Sequence, residues 1–240
     1  MRPPFTIQQD RAFSRIDLVV VVFVLLFVLA ILLPTMLAAV KRRELRIQCA
    51  NNLKQINDAF RSWEAEHEKA YPNYPGSVSV TNGGTMEMNN GTNAWINFAV
   101  LDNDFESNMP EVLHCPADIE RAVAANFNDL QGKVSYFINL NANVCFPAMP
   151  LDGDDNFATN GTPARSGLLA LSPETLITWT SARHKFVGNI GFADGSVSEI
   201  SDSALQKTIV QTGPTTNGPL TEWEAIRENN GVPTNRIAIP

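Results

Sequence analysis

The sequence predicts an α+β fold in which one long N-terminal helix is apolar all round in its first half and packs on an antiparallel sheet with its second. Three observations predict it. Leu18–Val40 is a run of 23 residues without a charge, closed by Lys41-Arg42-Arg43. Beyond it, apolar residues fall at Leu45, Cys49, Leu53, Ile56, Phe60 and Trp63, steps of four, four, three, four and three that trace one helical face. From Thr175 to Ile200 the pattern shortens to apolar runs separated by turn residues, as strands require.

The elements follow in order. At about 1.5 Å per residue the uncharged run is about 35 Å long, enough for a hydrocarbon core of about 30 Å. Neither Pro nor Gly occurs between Pro34 and Tyr71, which predicts one helix from Ile16 to Glu68. Tyr71-Pro72-Asn73-Tyr74-Pro75-Gly76 ends it, because proline removes a donor and disfavours helix at the residue before it. Ser77–Thr81 reads as a strand, Asn82–Asn93 as a polar loop, and Trp95–Leu101 as a strand or helix. Asp118–Asp129 reads as a short helix, Val134–Leu140 as a strand, and Asp152–Arg165 as a loop of Gly, Asp, Asn and Thr. Thr175–Thr180, Gly188–Ala193 and Ser196–Ile200 read as strands, with Asp194-Gly195 as the central pair of a type I′ hairpin turn. Asp202–Val210 reads as a helix capped by Ser201 or Asp202. Thr221-Glu222-Trp223-Glu224 fits a capping box opening a short helix to Glu228, within a tail otherwise rich in Pro, Gly, Asn and Thr.

Composition narrows the function. The 240 residues carry a net charge of −7, with a basic first fifty residues and an acidic remainder. An acidic soluble part lacks the basic face that displaces phosphate counterions, so no nucleic-acid partner is expected. Basic residues flank the apolar run on both sides, so charge alone does not orient it. Neither Ser–His–Asp, Walker-type nor HExxH spacing occurs, and only three histidines are present, so the chain does not read as an enzyme. Cys49, Cys115 and Cys145 form an odd set without C-x-x-C spacing; an exported domain pairs two of them, with Cys115–Cys145 as the first candidate.

Ala12-Phe13-Ser14-Arg15-Ile16-Asp17 and the run after it resemble the start of a type IV prepilin or type II secretion pseudopilin. In that family a short leader ends in Gly, the mature chain begins with Phe, a Glu stands fifth and a Pro near the twenty-second position. Here Phe13, Asp17 and Pro34 keep the register, with Ala12 in place of Gly and Arg15 at an otherwise apolar position. The resemblance implies cleavage after Ala12 and methylation of Phe13 by a prepilin peptidase. It gives assembly roles to Asp17, which would meet the freed ammonium of a neighbouring subunit, and to Pro34, which lets the span bend. It implies a single pass through the inner membrane with the C-terminal domain in the periplasm. Its partners would be other pilin-like subunits, the prepilin peptidase, an inner-membrane assembly platform and the lipid bilayer. The regions are then a leader (1–12), a membrane helix (13–43), the exported half of the helix (44–70), a globular domain (71–210) and a tail (211–240). The rival is a tethered periplasmic binding protein whose leader is never cut.

A second resemblance covers most of the chain. Arg183-His184 precedes Asp194-Gly195 at the spacing of the H-X9-DG element found in a large family of bacterial prepilin-like proteins, common in planctomycetes and verrucomicrobia. Cys49-Ala50-Asn51-Asn52-Leu53-Lys54-Gln55-Ile56, Cys115-Pro116-Ala117-Asp118 and Ser172-Pro173 resemble other elements of that family, in the same order.

The remaining polar residues have modest readings. Asp194 and Gly195 serve as turn residues, and His184 either hydrogen-bonds across the hairpin to Asp194 or belongs to a functional or metal site. A metal-dependent periplasmic enzyme built from His184, Asp194 and the Asp152 loop is the least favoured function. His67 serves the exposed carbonyls at the helix end, and His114 points away from Cys115 on a strand. Asp152-Gly153-Asp154-Asp155-Asn156 is either a solvated acidic loop or, since some pseudopilins hold calcium in a C-terminal loop, a calcium site through Asp152, Asp154 and Asp155.

Overall fold

The computed structural model describes residues 15–69, 71, 73–89, 93–105, 109–172, 174–210 and 235–240. The processing site Ala12–Phe13, the leader and the predicted helix Thr221–Glu228 lie outside the described residues.

Helix α1 spans Arg15–Glu66 with Pro34 inside it, within two residues of the expected ends. The chain divides into two units: a first ending at Arg43, and a second, Glu44–Pro240. In the first, every described side chain is exposed, and the helix is long and apolar enough to cross a membrane, a test that a signal sequence also passes. Thr35 Oγ1 donates to the Leu32 carbonyl at 2.8 Å beside Pro34, whose ring nitrogen has no hydrogen to give.

In the second unit the helix buries Cys49, Leu53, Ile56, Asn57, Ala59, Phe60 and Trp63, the stripe that the spacing anticipates plus Asn57 and Ala59. After α1 the chain forms short 3-10 turns at Pro75–Ser77 and Val80–Asn82, where a strand is expected. Ser79 explains the change. Its hydroxyl accepts from the Thr81 amide at 3.4 Å and donates to Glu87 at 2.5 Å, so side chains occupy the groups a ladder would use. Helix α2, Ile96–Ala99, resolves the Trp95–Leu101 run as helix. The expected helix Asp118–Asp129 is irregular apart from a turn at Phe127–Asp129. Asp118 holds the amides of Glu120 and Arg121 at 3.1 and 3.3 Å, a turn that stands in for the helix.

The strands are β1 (Tyr136–Asn139), β2 (Pro150–Asp154), β3 (Phe157–Thr159), β4 (Thr162–Pro163), β5 (Gly167–Leu171), β6 (Ile177–Trp179), β7 (Val187–Phe192), β8 (Val197–Ser201) and β9 (Asn235–Ile239), with α3 at Asp202–Val210. A six-stranded antiparallel sheet runs β5-β9-β1-β2-β7-β8 and a smaller one β4-β3-β6. The sequence is therefore α+β, as expected. Further regions depart from expectation, β5 among them. Asp152–Arg165, read as a loop, supplies the end of β2 together with β3 and β4. The globular domain, expected to end at residue 210, takes a central strand from Asn235–Ile239.

The sheet separates two cores. Tyr136, Ile138 and Leu151 pack with the α1 stripe, Tyr74, Phe98, Leu113 and Leu130. Phe137 points to the other face, with Phe157, Trp179, Ile190, Leu205, Ile209, Ile237 and Ile239. Alternation along β1 thus serves both layers. Each large apolar side chain so buried contributes about 1.5–3 kcal/mol.

Candidate functional site around His184

The loop Thr180–Phe186 enters β7 through a backbone with three left-handed residues, Arg183, Lys185 and Phe186, at φ of 55°, 53° and 62°. Such conformations cost on the order of 1 kcal/mol or more for bulky side chains and persist only where surroundings hold them. Here Asn156 holds them. Its Nδ2 donates to the Ala182 carbonyl at 3.0 Å, and its own carbonyl accepts from the Thr180 amide at 2.8 Å. The strained loop directs Arg183 and His184 into the protein.

Arg183 closes a ring of two arginines and two aspartates. It meets Asp118 at 2.9 Å and Asp155 at 2.6 Å, and Arg121 meets the same two carboxylates at 3.1 and 2.8 Å. Ser135 Oγ donates to Asp118 at 2.8 Å. Burial alone would raise the Asp118 pKa; Arg183, Ser135 and Arg121 outweigh it, and the carboxyl sits below its usual range. The ring borders a cleft of about 630 Å³ that Asn156, Thr180, Ser181 and Ala182 also line.

His184 is buried and faces Asp154 and Cys115, not Asp194. Its Nε2 lies 3.5 Å from Asp154 Oδ2 and 3.3 Å from Cys115 Sγ. Burial, then Arg183 and Arg46, lowers its pKa to about 4, so the ring is neutral at pH 7. Asp154 accepts at Oδ2 from the Asn189 backbone at 2.7 Å and its side chain at 3.1 Å, while Oδ1 has no hydrogen-bond partner. Burial raises the Asp154 pKa to about 7 against the hydrogen bonds from Asn189. Asp152, two residues earlier on β2, is fully buried and raised well above its usual value, first by burial and then by Asp154. The Asn57 amide lies 3.0 and 3.2 Å from its oxygens. With the amide turned, the Asn57 nitrogen donates to both Asp152 oxygens. Gly191 makes room for this pair, since a Cβ there would collide with both side chains.

The disulfide joins Cys49 to Cys115, and Cys145 is free and exposed, which corrects the expected Cys115–Cys145 pairing. The helical face holds the reason. Cys49 lies on the buried stripe between Leu45 and Leu53, so it points at the domain. The calcium reading through a surface loop meets a different environment: Asp152 and Asp154 are buried on a sheet strand, and Asp155 is engaged by Arg121 and Arg183.

Asp194 and Gly195 form the β7–β8 turn, but not as type I′. Gly195 alone has positive φ, at 82°, and its amide donates to the Phe192 carbonyl while Phe192 donates to Ser196, each at 2.8 Å. This is a type I turn followed by a left-handed glycine, the usual three-residue hairpin. Its carbonyls are held from α1 and beyond: Lys54 donates to Gly195 at 2.9 Å, Arg61 to Asp194 at 3.2 Å, and Tyr74 to Ala193 at 2.8 Å. Of the other histidines, His67 Nδ1 donates to the Trp63 carbonyl at 2.7 Å, as expected at a helix end, and His114 Nε2 meets the Arg121 carbonyl at 3.1 Å.

Elements far apart in sequence therefore meet around one stretch of helix. Cys49 bonds Cys115, Asp118 pairs with Arg183, His184 touches Cys115, and Lys54 grips the Asp194-Gly195 turn. The architecture is pilin-like. No family model matches this chain, and no curated protein or solved structure is similar to it. Asp17 and Pro34 lie within α1, in its first half.

Proposed function

We propose that this chain is a non-catalytic, pseudopilin-like structural subunit, stored in the inner membrane and drawn into a short type II secretion or type IV pilus-like assembly. The observation that carries the reading is the division of labour along α1: an apolar half with every side chain exposed, then a half whose stripe is buried against a sheet. A helix of the first kind is stable in lipid or against copies of itself, not in water. The register of Phe13, Asp17 and Pro34 and the meeting of the Cys49, Cys115–Asp118, His184 and Asp194-Gly195 elements support membership of the H-X9-DG prepilin-like class. In this reading the globular unit is periplasmic, and its partners are other pilin-like subunits, the prepilin peptidase and the assembly platform.

Mass spectrometry of the N-terminus tests it. Chain isolated from membranes of cells with an active prepilin peptidase should begin at a methylated Phe13. An intact Met1 would instead favour an uncut, membrane-tethered binding protein, the reading that Ala12 and Arg15 support.

A further inference from the structure

We propose that the dithiol form of this protein binds a zinc ion between Cys49, Cys115, Asp154 and His184. The ligand atoms of these four residues lie within 4.8 Å of one another, and all four residues are buried. Tetrahedral zinc bonds of about 2.0–2.3 Å set N, O and S ligands about 3.3–3.8 Å apart. His184 Nε2 already stands 3.5 Å from the Asp154 carboxylate and 3.3 Å from Cys115 Sγ. The two sulfurs must separate, which rotation of both side chains allows once their bond is open. Two thiolates, an imidazole and a carboxylate suit zinc, and four protein ligands leave no open position, as in a structural site.

A second observation points the same way. Asp154 is fully buried, one of its oxygens is held twice by Asn189, and the other has no hydrogen-bond partner. Among the described residues no lysine or arginine pairs with it, and its neighbour His184, 3.5 Å from Oδ2, is neutral. A divalent ion beside this carboxylate would supply a positive charge at bonding distance, and Asn189, bound to Oδ2, would orient the ligand as outer-shell partners do. The ion would tie together the same segments that the disulfide ties, α1 and the loop before β1, and would add β2 and the loop before β7.

The chemistry closes. Each cysteine thiol loses one proton as its sulfur binds the metal, so uptake of one zinc releases two protons from the cysteines, and a third wherever Asp154 holds one. Oxidation by a small-molecule disulfide reverses it: the two thiolates give up two electrons and form the Cys49–Cys115 bond, the reagent's own S–S bond breaks and takes those electrons with two protons, and zinc departs. The inference is independent of whether the chain assembles.

The test uses the full chain in detergent, reduced in denaturant and refolded with cobalt(II), then titrated with zinc. The reduced protein should take up one metal per chain, show thiolate-to-cobalt charge transfer with the visible bands of a tetrahedral ion, and lose both signals to zinc. Oxidised protein carried through the same steps should show neither, and Asn189→Ala should weaken zinc affinity about 10–100-fold. Refolded, reduced protein with native circular dichroism but no thiolate–cobalt band overturns the proposal. So does a reduced chain that stays unfolded with zinc present, or a band that survives unchanged in His184→Ala and Asp154→Asn.

Discussion

The two halves of α1 differ in how much apolar residue they carry and in how they arrange it. Residues 15–43 carry leucine, valine and phenylalanine on every side, and all are exposed. In Glu44–Glu66 most of the apolar residues lie on one stripe, and almost all of that stripe is buried, while Lys54, Gln55, Asp58 and the off-stripe Ile47 face outward. Arrangement, together with content, decides which half a water-soluble domain can use. A stripe offers one face to a sheet and one to water; a helix apolar all round needs a surrounding that is apolar all round.

The difference can be broken at matched residues. The largest effect should come from truncating phenylalanine in each half. Phe60 is fully buried, with ring centroids 5.9 Å from Tyr74 and 5.8 Å from Phe98. Phe60→Ala should destabilise the globular unit by about 3–5 kcal/mol, whereas Phe27→Ala, at a fully lipid-type position, should leave its denaturation midpoint unchanged. Equal shifts would mean that the halves do not differ as described.

Next comes the covalent staple of the second half. The disulfide closes a separation of 66 residues. In oxidised protein, the pair Cys49→Ala and Cys115→Ala should cost about 2–5 kcal/mol, read as a lowered urea midpoint; Cys145→Ala should cost nothing measurable.

A charge sharpens the contrast from the other side. Leu29→Lys, near the centre of the uncharged run, should raise the cost of membrane insertion by about 3–4 kcal/mol, measured as a fall in the membrane-inserted fraction. Gln55→Lys, on the exposed side of the second half, should change neither insertion nor folding.

Acid should act on the globular unit. The Asp118 carboxyl holds its proton less readily in the folded chain than in the unfolded one. Its contribution is therefore complete above the ordinary carboxylate range and drains away as pH falls through it, from about pH 5 downward. Asp118→Asn should be less stable at neutral pH and lose less stability on acidification, as thermal melts across that range would show. The smallest effect should be Lys54→Ala, which removes an exposed helix side chain's hydrogen bond to the Gly195 carbonyl and should cost about 0.5–1.5 kcal/mol.

How much of this was readable in advance follows from which forces leave a local trace. The stripe from Leu45 to Trp63 is periodic, so the helix was legible almost to its last residue. β1, β6, β7 and β8 were legible because their apolar runs are bounded by turn residues. β2 was not: Asp152, Gly153 and Asp154 look solvated, and only distant Asn57, Asn189 and His184 make their burial tolerable. For the candidate site, His184 stood out by its spacing to Asp194, but its real neighbours come from β2 and the disulfide. The Arg121–Arg183 pair left one hint, the three-residue step from Asp118 to Arg121. The pairing of Cys49 could have been inferred from its place on the stripe.

Strand β9 lies between β5 and β1, yet it is made after every other strand of that sheet. Until Ile237, Ala238 and Ile239 emerge, β1 and β5 each carry an open edge, and the layer that buries those three residues is incomplete. A nascent chain therefore completes its sheet late, and anything that guards those open edges during synthesis and export would have to let go only when this final piece arrives.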